Sequence, residues 1–319
     1  MKESNVALII VFNHRYDKNL PILEELYKDR FTHRYYLVPF YDGNQENVIP
    51  VYGRSIFFES YIAQGAKHYI KENFKHYLFI ADDMIIHPQI NEYNYQDFFE
   101  VNDEESFIPQ LTPIQDMKKY WIGTMSAFFY RKKQKYIEAA QELPDEEEAL
   151  NKMRMQNIEI RPLNRQELFG DFTLRIDSLA NKTRLLVRTG TFLKNPFKRT
   201  YKLPYPCIGS YSDIVVVSAN TIQSFTHYCG VFGATCLFAE VAIPTALVLA
   251  SNHPIKTERE TTRKGRSYWV SEEAVFWDSE ESNVKLLDEK YKDLNDLFIH
   301  FPDNFLYIHP IKLSKWIKK

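Results

Sequence analysis

Two adjacent carboxylates, Asp82 and Asp83, directly follow the apolar run Tyr77-Leu78-Phe79-Ile80-Ala81. Neighbouring like charges repel unless a cation or hydrogen-bond donors stabilise both, and a divalent metal is the usual solution. Mg2+ and Mn2+ take oxygen ligands, commonly one or two carboxylates plus the phosphates of a substrate. The pair therefore suits a metal-held nucleotide diphosphate. As solvated turn acids or helix caps the same residues would do no chemistry, so the elements that carry them decide between the readings.

Those elements alternate. Val6-Ala7-Leu8-Ile9-Ile10-Val11-Phe12 is a continuous apolar, β-branched run, as expected of a strand buried on both faces of a parallel sheet. Over 19–30, Leu20, Leu23, Leu26 and Tyr27 have the spacing of one helical face. A second strand over 35–40 ends in the turn Tyr41-Asp42-Gly43. Residues 56–72 suit a helix, and the run 77–81 is a third strand that stops at the acidic pair. This alternation predicts an α/β, doubly wound, mostly parallel sheet, and such sheets bind ligands beyond the carboxyl ends of their strands. Asn13-His14-Arg15, Tyr41-Asp42-Gly43 and Asp82-Asp83 all fall at those ends.

The rest is less regular. Residues 114–142 look helical, Asp145-Glu146-Glu147-Glu148 is an acidic surface run, and 153–204 has no clean period, so an inserted, mainly helical region is expected in the middle of the chain. No acidic residue lies between Asp177 and Asp213, whereas Lys182, Arg184, Arg188, Lys194, Lys198, Arg199 and Lys202 do, interleaved with Leu185, Leu186, Phe192 and Phe197. A strand over 214–218, a short helix over 221–228 and a core helix over 238–250 follow. Without repeats or low-complexity tracts, one domain over 1–319 is the simplest organisation, with a nucleotide-binding half (1–100), the inserted helical and basic region (101–205), and an acceptor-side half with the tail (206–319).

The 319 residues suffice for a large core without staples. A formal net charge of -2 argues against a dedicated nucleic-acid binder. Three cysteines, Cys207, Cys229 and Cys236, with no C-x-x-C spacing indicate neither a disulfide framework nor a zinc knuckle and fit a reducing, cytoplasmic compartment. The start of the chain reads as no secretion signal. The apolar stretch 231–251 is nearly long enough to span a membrane, but Glu240 and Pro244 sit at its middle, and a central carboxylate costs roughly 2.5–3.5 kcal/mol there. A buried core helix is the expectation.

The run Tyr77-Leu78-Phe79-Ile80-Ala81-Asp82-Asp83-Met84-Ile85-Ile86 resembles the metal-binding strand of glycosyltransferases of the GT-A fold, a Rossmann-related architecture whose motif is D-x-D. Here the first acid of that motif falls on Ala81 and the last on Asp83, a departure from the strict pattern. The resemblance covers roughly the first ninety residues and again 205–255. It implies a nucleotide-sugar donor cradled by Phe12, Asn13 and Arg15, with Asp42 on the base or ribose and Arg54 on the phosphates. It implies Mn2+ or Mg2+ on Asp83, with Asp82 and His309 completing the shell, and Lys312 facing the diphosphate. His253-Pro254-Ile255-Lys256 repeats the local form of His309-Pro310-Ile311-Lys312 and rivals it. Glu240, with Asp213 in reserve, matches the acid that such enzymes present to the acceptor hydroxyl.

The resulting expectation is a metal-dependent, hexosyltransferase-like enzyme acting on a surface-glycan or lipid-linked acceptor, as in polysaccharide or lipopolysaccharide assembly. The basic-aromatic stretch 182–202 would then face the inner membrane surface peripherally. Two alternatives stay open: a nucleotidyltransferase of similar fold, which normally opens with a glycine-rich loop where this chain has Asn13-His14-Arg15, and a non-catalytic glycan- or nucleotide-binding protein, consistent with Ala81 at an acid's position.

Overall fold

The computed structural model describes residues 4–117, 123–169, 196–267 and 290–313, with Leu186, Thr189, Gly190, Phe192 and Leu193. Lys182, Arg184, Leu185, Arg188 and Lys194 of the basic stretch lie outside the described residues. The first half contains β1 (Val6–Val11), α1 (Leu20–Tyr27), β2 (His33–Pro39), β3 (Val48–Val51), α2 (Glu59–Tyr69), β4 (His76–Ala81), β5 (Ile85–Ile86), α3 (Tyr95–Phe99), β6 (Ser106–Phe107) and β7 (Thr112–Pro113). The middle contributes α4 (Glu146–Met155), β8 (Leu163–Asn164), α5 (Arg165–Phe169) and β9 (Thr200–Tyr201). Then follow β10 (Ile208–Gly209), β11 (Ile214–Ser218), α6 (Ala219–Ala234), α7 (Ala239–Ala250), β12 (Ile255–Lys256), β13 (Lys264–Ser267), α8 (Leu294–Ile299) and β14 (Phe305–His309).

Seven strands form one sheet in the order β12-β6-β11-β4-β1-β2-β3. Six run the same way, and β11 alone is reversed between β4 and β6. Every residue of β1 is buried because alternate side chains enter different cores. Ala7, Ile9 and Val11 join the core beneath α2, α6 and α7, whereas Val6, Leu8 and Ile10 join the one beneath α1, α3 and α8. The architecture is α/β with a mostly parallel sheet covered on both faces, compatible with a Rossmann-like fold. β3 was not expected, since Pro50 interrupts its run; as an edge strand it can carry an exposed proline without losing a ladder bond.

The middle departs from expectation. Among the described residues of 114–142 there is no long helix but three short 3-10 turns, Ile114–Asp116, Gly123–Phe128 and Glu138–Gln141. Tertiary contacts override the local pattern. Tyr130 lies edge-on to Phe232 with centroids 5.7 Å apart, its hydroxyl meets Thr235 Oγ1 at 3.0 Å, and Tyr136 takes a positive φ of 65° that no helix accommodates. The acidic run begins α4, with Asp145 as N-cap accepting from the Glu148 N–H. The described part of the insertion holds α4, α5 and these 3-10 turns, joined by strands of two residues each. The helix expected over 221–228 extends over all 16 residues of α6. The apolar stretch 231–251 is split between α6 and α7 at Cys236, whose φ is 58°, and no helix among the described residues is long and apolar enough to cross a membrane.

A second, three-stranded sheet, β13-β14-β5, stands behind the acidic pair. Gly265 of β13 is required there, because a Cβ would fall 1.9 Å from the Tyr307 ring. Tyr307 donates to Glu258 Oε1 at 2.8 Å, and the Gly265 N–H donates to the same oxygen at 3.0 Å. Burial pushes the Glu258 carboxyl up to about 7, against those two donors and Lys264. A raised carboxyl stabilises the fold below its ordinary value of 4.5 and loses that contribution as pH rises through about 7. The ceiling is about 3 kcal/mol. Glu258→Gln keeps an acceptor oxygen for both donors, so its melting temperature should fall less than the wild type's between pH 5 and pH 8; parallel curves would contradict this.

Candidate functional site

The site lies at the carboxyl ends of β1 and β4. Asp82 continues β4, its N–H bonded to the Val11 carbonyl at 3.1 Å, and the residue is only 3% exposed. Asn19 Nδ2 donates to Asp82 Oδ2 at 3.2 Å, and the backbone of Asn13 supplies a further hydrogen bond. Burial first, then the charge of Asp83, raises the Asp82 carboxyl well above the usual carboxylate range despite those donors and His309. Burial thus disfavours a second charge beside Asp83, the direction that eases the repulsion expected between the two acids.

Asp83 faces outward, with a third of its side chain exposed. β14 pairs antiparallel with β5, Tyr307 opposite Ile86 and Ile308 opposite Ile85, so the next residue, His309, arrives at Asp83. His309 Nε2 lies 2.9 Å from Asp83 Oδ1, and the Ile311 N–H donates to the Asp83 carbonyl at 2.6 Å. Reversed β11 brings Asp213 to the same place. The Asp213 carbonyl accepts from the Ala81 N–H at 2.8 Å, and its Oδ2 lies 3.9 Å from His309 Nε2. Burial raises the Asp213 carboxyl, as does the charge of Asp83, with His309 and Tyr211 opposing. For His309 burial acts downward, but Asp83, Asp213 and Asp82 outweigh it and the imidazolium is favoured. Its other ring nitrogen, Nδ1, is hydrogen-bonded to the buried Tyr211 hydroxyl.

The remaining expected residues divide. Asn13 and Asp213 line a narrow cleft with Val11, Phe58, Ala81 and Ser212. Phe12 is fully buried, edge-on to Tyr36, so only its backbone can approach a ligand. Arg15 and Asp42 pair with each other, and Arg15 also holds Asp17 and the Phe40 carbonyl at 2.9 Å, tying the turns after β1 and β2 together. The Arg15 guanidinium holds the Asp42 carboxyl below its usual range. Arg54 is exposed, over the Phe57 ring at 5.3 Å, and Lys312 is exposed just past the Ile311–Asp83 bond. Glu240 is half-buried in the first turn of α7; its carbonyl accepts from the Ser210 N–H at 3.0 Å, and its charge acts on Tyr211. Of the twin His-Pro-Ile-Lys segments, His309 meets the acidic pair, whereas His253 pairs with Glu104 at 3.4 Å. Sequence reasoning gave no role to Asn19, nor to Tyr211 within the run Ser210-Tyr211-Ser212-Asp213.

Among the described residues, no group of three or more His, Cys, Asp or Glu forms a ready metal cage. A two-ligand site nevertheless fits. Ligand bonds of about 2.1 Å at right angles put neighbouring donors about 3.0 Å apart, and Asp83 Oδ1 and His309 Nε2 are separated by 2.9 Å. Asp82 is committed to Asn13 and Asn19 instead. The chain matches no protein-family model and no curated protein.

Proposed function

We propose that this protein is a metal-dependent glycosyltransferase of the GT-A fold, moving a sugar from a nucleotide-sugar donor to a surface-glycan or lipid-linked acceptor. The observation that carries the reading is the Asp83–His309 pair, at a donor spacing suited to Mn2+ or Mg2+, at the carboxyl end of a parallel strand. Reversed β11, which returns Asp213 beside that pair, supports it further. Asp83 and His309 would hold the metal, which supplies positive charge to the departing diphosphate. Lys312 adds a cation on the same side. Asn13 and the Arg15–Asp42 latch border the donor, with Arg54 nearby on the next turn. Glu240, in the first turn of α7 with its charge acting on Tyr211, would serve as the base for the acceptor hydroxyl, with Asp213 in reserve. Phe197, 96% exposed beside Lys198 and Arg199, suits peripheral contact with the cytoplasmic face of a membrane.

The deciding experiment screens nucleotide sugars, with and without Mn2+, by thermal shift and donor hydrolysis. One donor class should raise the melting temperature and be slowly hydrolysed only with metal; for ligand at 100 times its Kd, the expected stabilisation is about 2.7 kcal/mol. Silence across all donors would remove the transferase reading in favour of a nucleotidyltransferase or a non-catalytic binding protein.

A further inference from the structure

We infer that Tyr211 is a positioning residue that fixes which nitrogen of His309 faces the site. Tyr211 is buried in the short segment that leads into β11, and its ring stacks on Tyr307 at 6.0 Å with an interplanar angle of 7°. Its hydroxyl meets His309 Nδ1 on one side and the Asp213 carboxylate on the other. A phenol has one proton to give. Nε2, the nitrogen that faces Asp83, offers a lone pair to a cation only when the ring's proton sits on Nδ1, so the phenol oxygen accepts from His309 Nδ1–H and its own proton is turned toward Asp213. With Nδ1 holding a proton, the lone pair that can reach a cation is on Nε2, the nitrogen 2.9 Å from Asp83 Oδ1. A ligand histidine held through its second nitrogen typically loses 10- to 100-fold in metal affinity when that partner is removed. The chain Asp213–Tyr211–His309 thus orients the ring before any cation arrives. The consequence for affinity rests on the metal-dependent reading above; the orientation of the ring does not.

The test uses the full chain labelled with 15N-histidine, titrated with diamagnetic Mg2+ and observed through His309 Nδ1 and Nε2, together with Mn2+ binding followed by the free-ion electron paramagnetic resonance signal. Wild type should show a protonated Nδ1 throughout and a bare Nε2 when Mg2+ is bound. Tyr211→Phe keeps the stacked ring and should weaken Mn2+ binding 10- to 100-fold while changing both nitrogen signals. Tyr307→Phe removes the neighbouring hydroxyl, which serves Glu258, and should leave Mn2+ affinity as in wild type. A bare Nδ1 in the Mg2+-bound wild type overturns the inference without any variant having to fold. Unchanged nitrogen signals in Tyr211→Phe, or an equal loss in Tyr307→Phe, also overturn it. If the wild type takes up no metal, the metal reading fails; the positioning role then stands only if Tyr211→Phe shifts the His309 Nδ1 signal of the metal-free protein, and an unshifted signal overturns it.

Discussion

Replacing Asp83 by Asn should lower metal-dependent donor turnover by on the order of 10²- to 10³-fold, the usual loss when one preorganised electrostatic group is removed. Asn keeps the shape of the side chain, and the main-chain bond from the Ile311 N–H to the residue 83 carbonyl does not involve it. The fold should therefore survive. What is lost is the carboxyl oxygen 2.9 Å from His309 Nε2, and with it half of the proposed two-ligand set. Asp82 cannot substitute, because its carboxyl is buried, raised and bonded to Asn13 and Asn19. Initial rates against Mn2+ concentration, with a melting curve for each protein, provide the check. Undiminished, metal-dependent turnover in a folded Asp83→Asn protein would discard the metal assignment.

The second large effect concerns stability, and it has the opposite sign. Glu59 begins α2 with no exposed surface, and among the described residues its carboxyl oxygens have no hydrogen-bond partner beyond an interaction with the residue's own backbone N–H. Close packing of α2 on α6 encloses it: a Cβ on Gly233 would lie 2.6 Å from that of Ser60, and one on Gly230 would lie 3.2 Å from that of Ala63. Burial drives the Glu59 carboxyl well above its ordinary range. An unsatisfied buried polar group costs about 1–3 kcal/mol, and methionine occupies similar space without it. Glu59→Met should therefore stabilise the protein by about 2 kcal/mol at pH 5. A raised carboxyl contributes most below its unfolded value and loses that contribution as pH rises, so the advantage of Met should widen toward pH 8. Urea unfolding at the two pH values measures both quantities. A less stable Glu59→Met protein would mean that the carboxyl has a function or a bound water that repays its burial.

How far the sequence carried varies from element to element. β1 and β4 were legible because strands buried on both faces have no polar side, and α1 because its apolar residues repeat at one face's spacing. β3 was hidden by Pro50, and β6 and β12 are two residues long, too short for any periodicity. Residues 114–142 had helical composition, but Tyr130 and its neighbours gain more from packing on α6 than from closing helical turns. The acidic pair stood out because it interrupts an apolar strand. Its electrostatics did not, because the rise of the Asp82 carboxyl depends on burial and on the Asp83 charge together.

By itself, then, the sequence determined the alternation of strands and helices, the strand ends where polar residues gather, and the chemical types available there, all properties carried by residues a few positions apart. Tertiary structure alone decided the pairing of strands distant along the chain. It reversed β11 and so set Asp213 near Asp83, and it joined β14 to β5, choosing His309 over a segment of identical local form. Asp83 and His309 are 226 residues apart. No local pattern encodes such a contact, because it exists only once both sheets have closed on their cores.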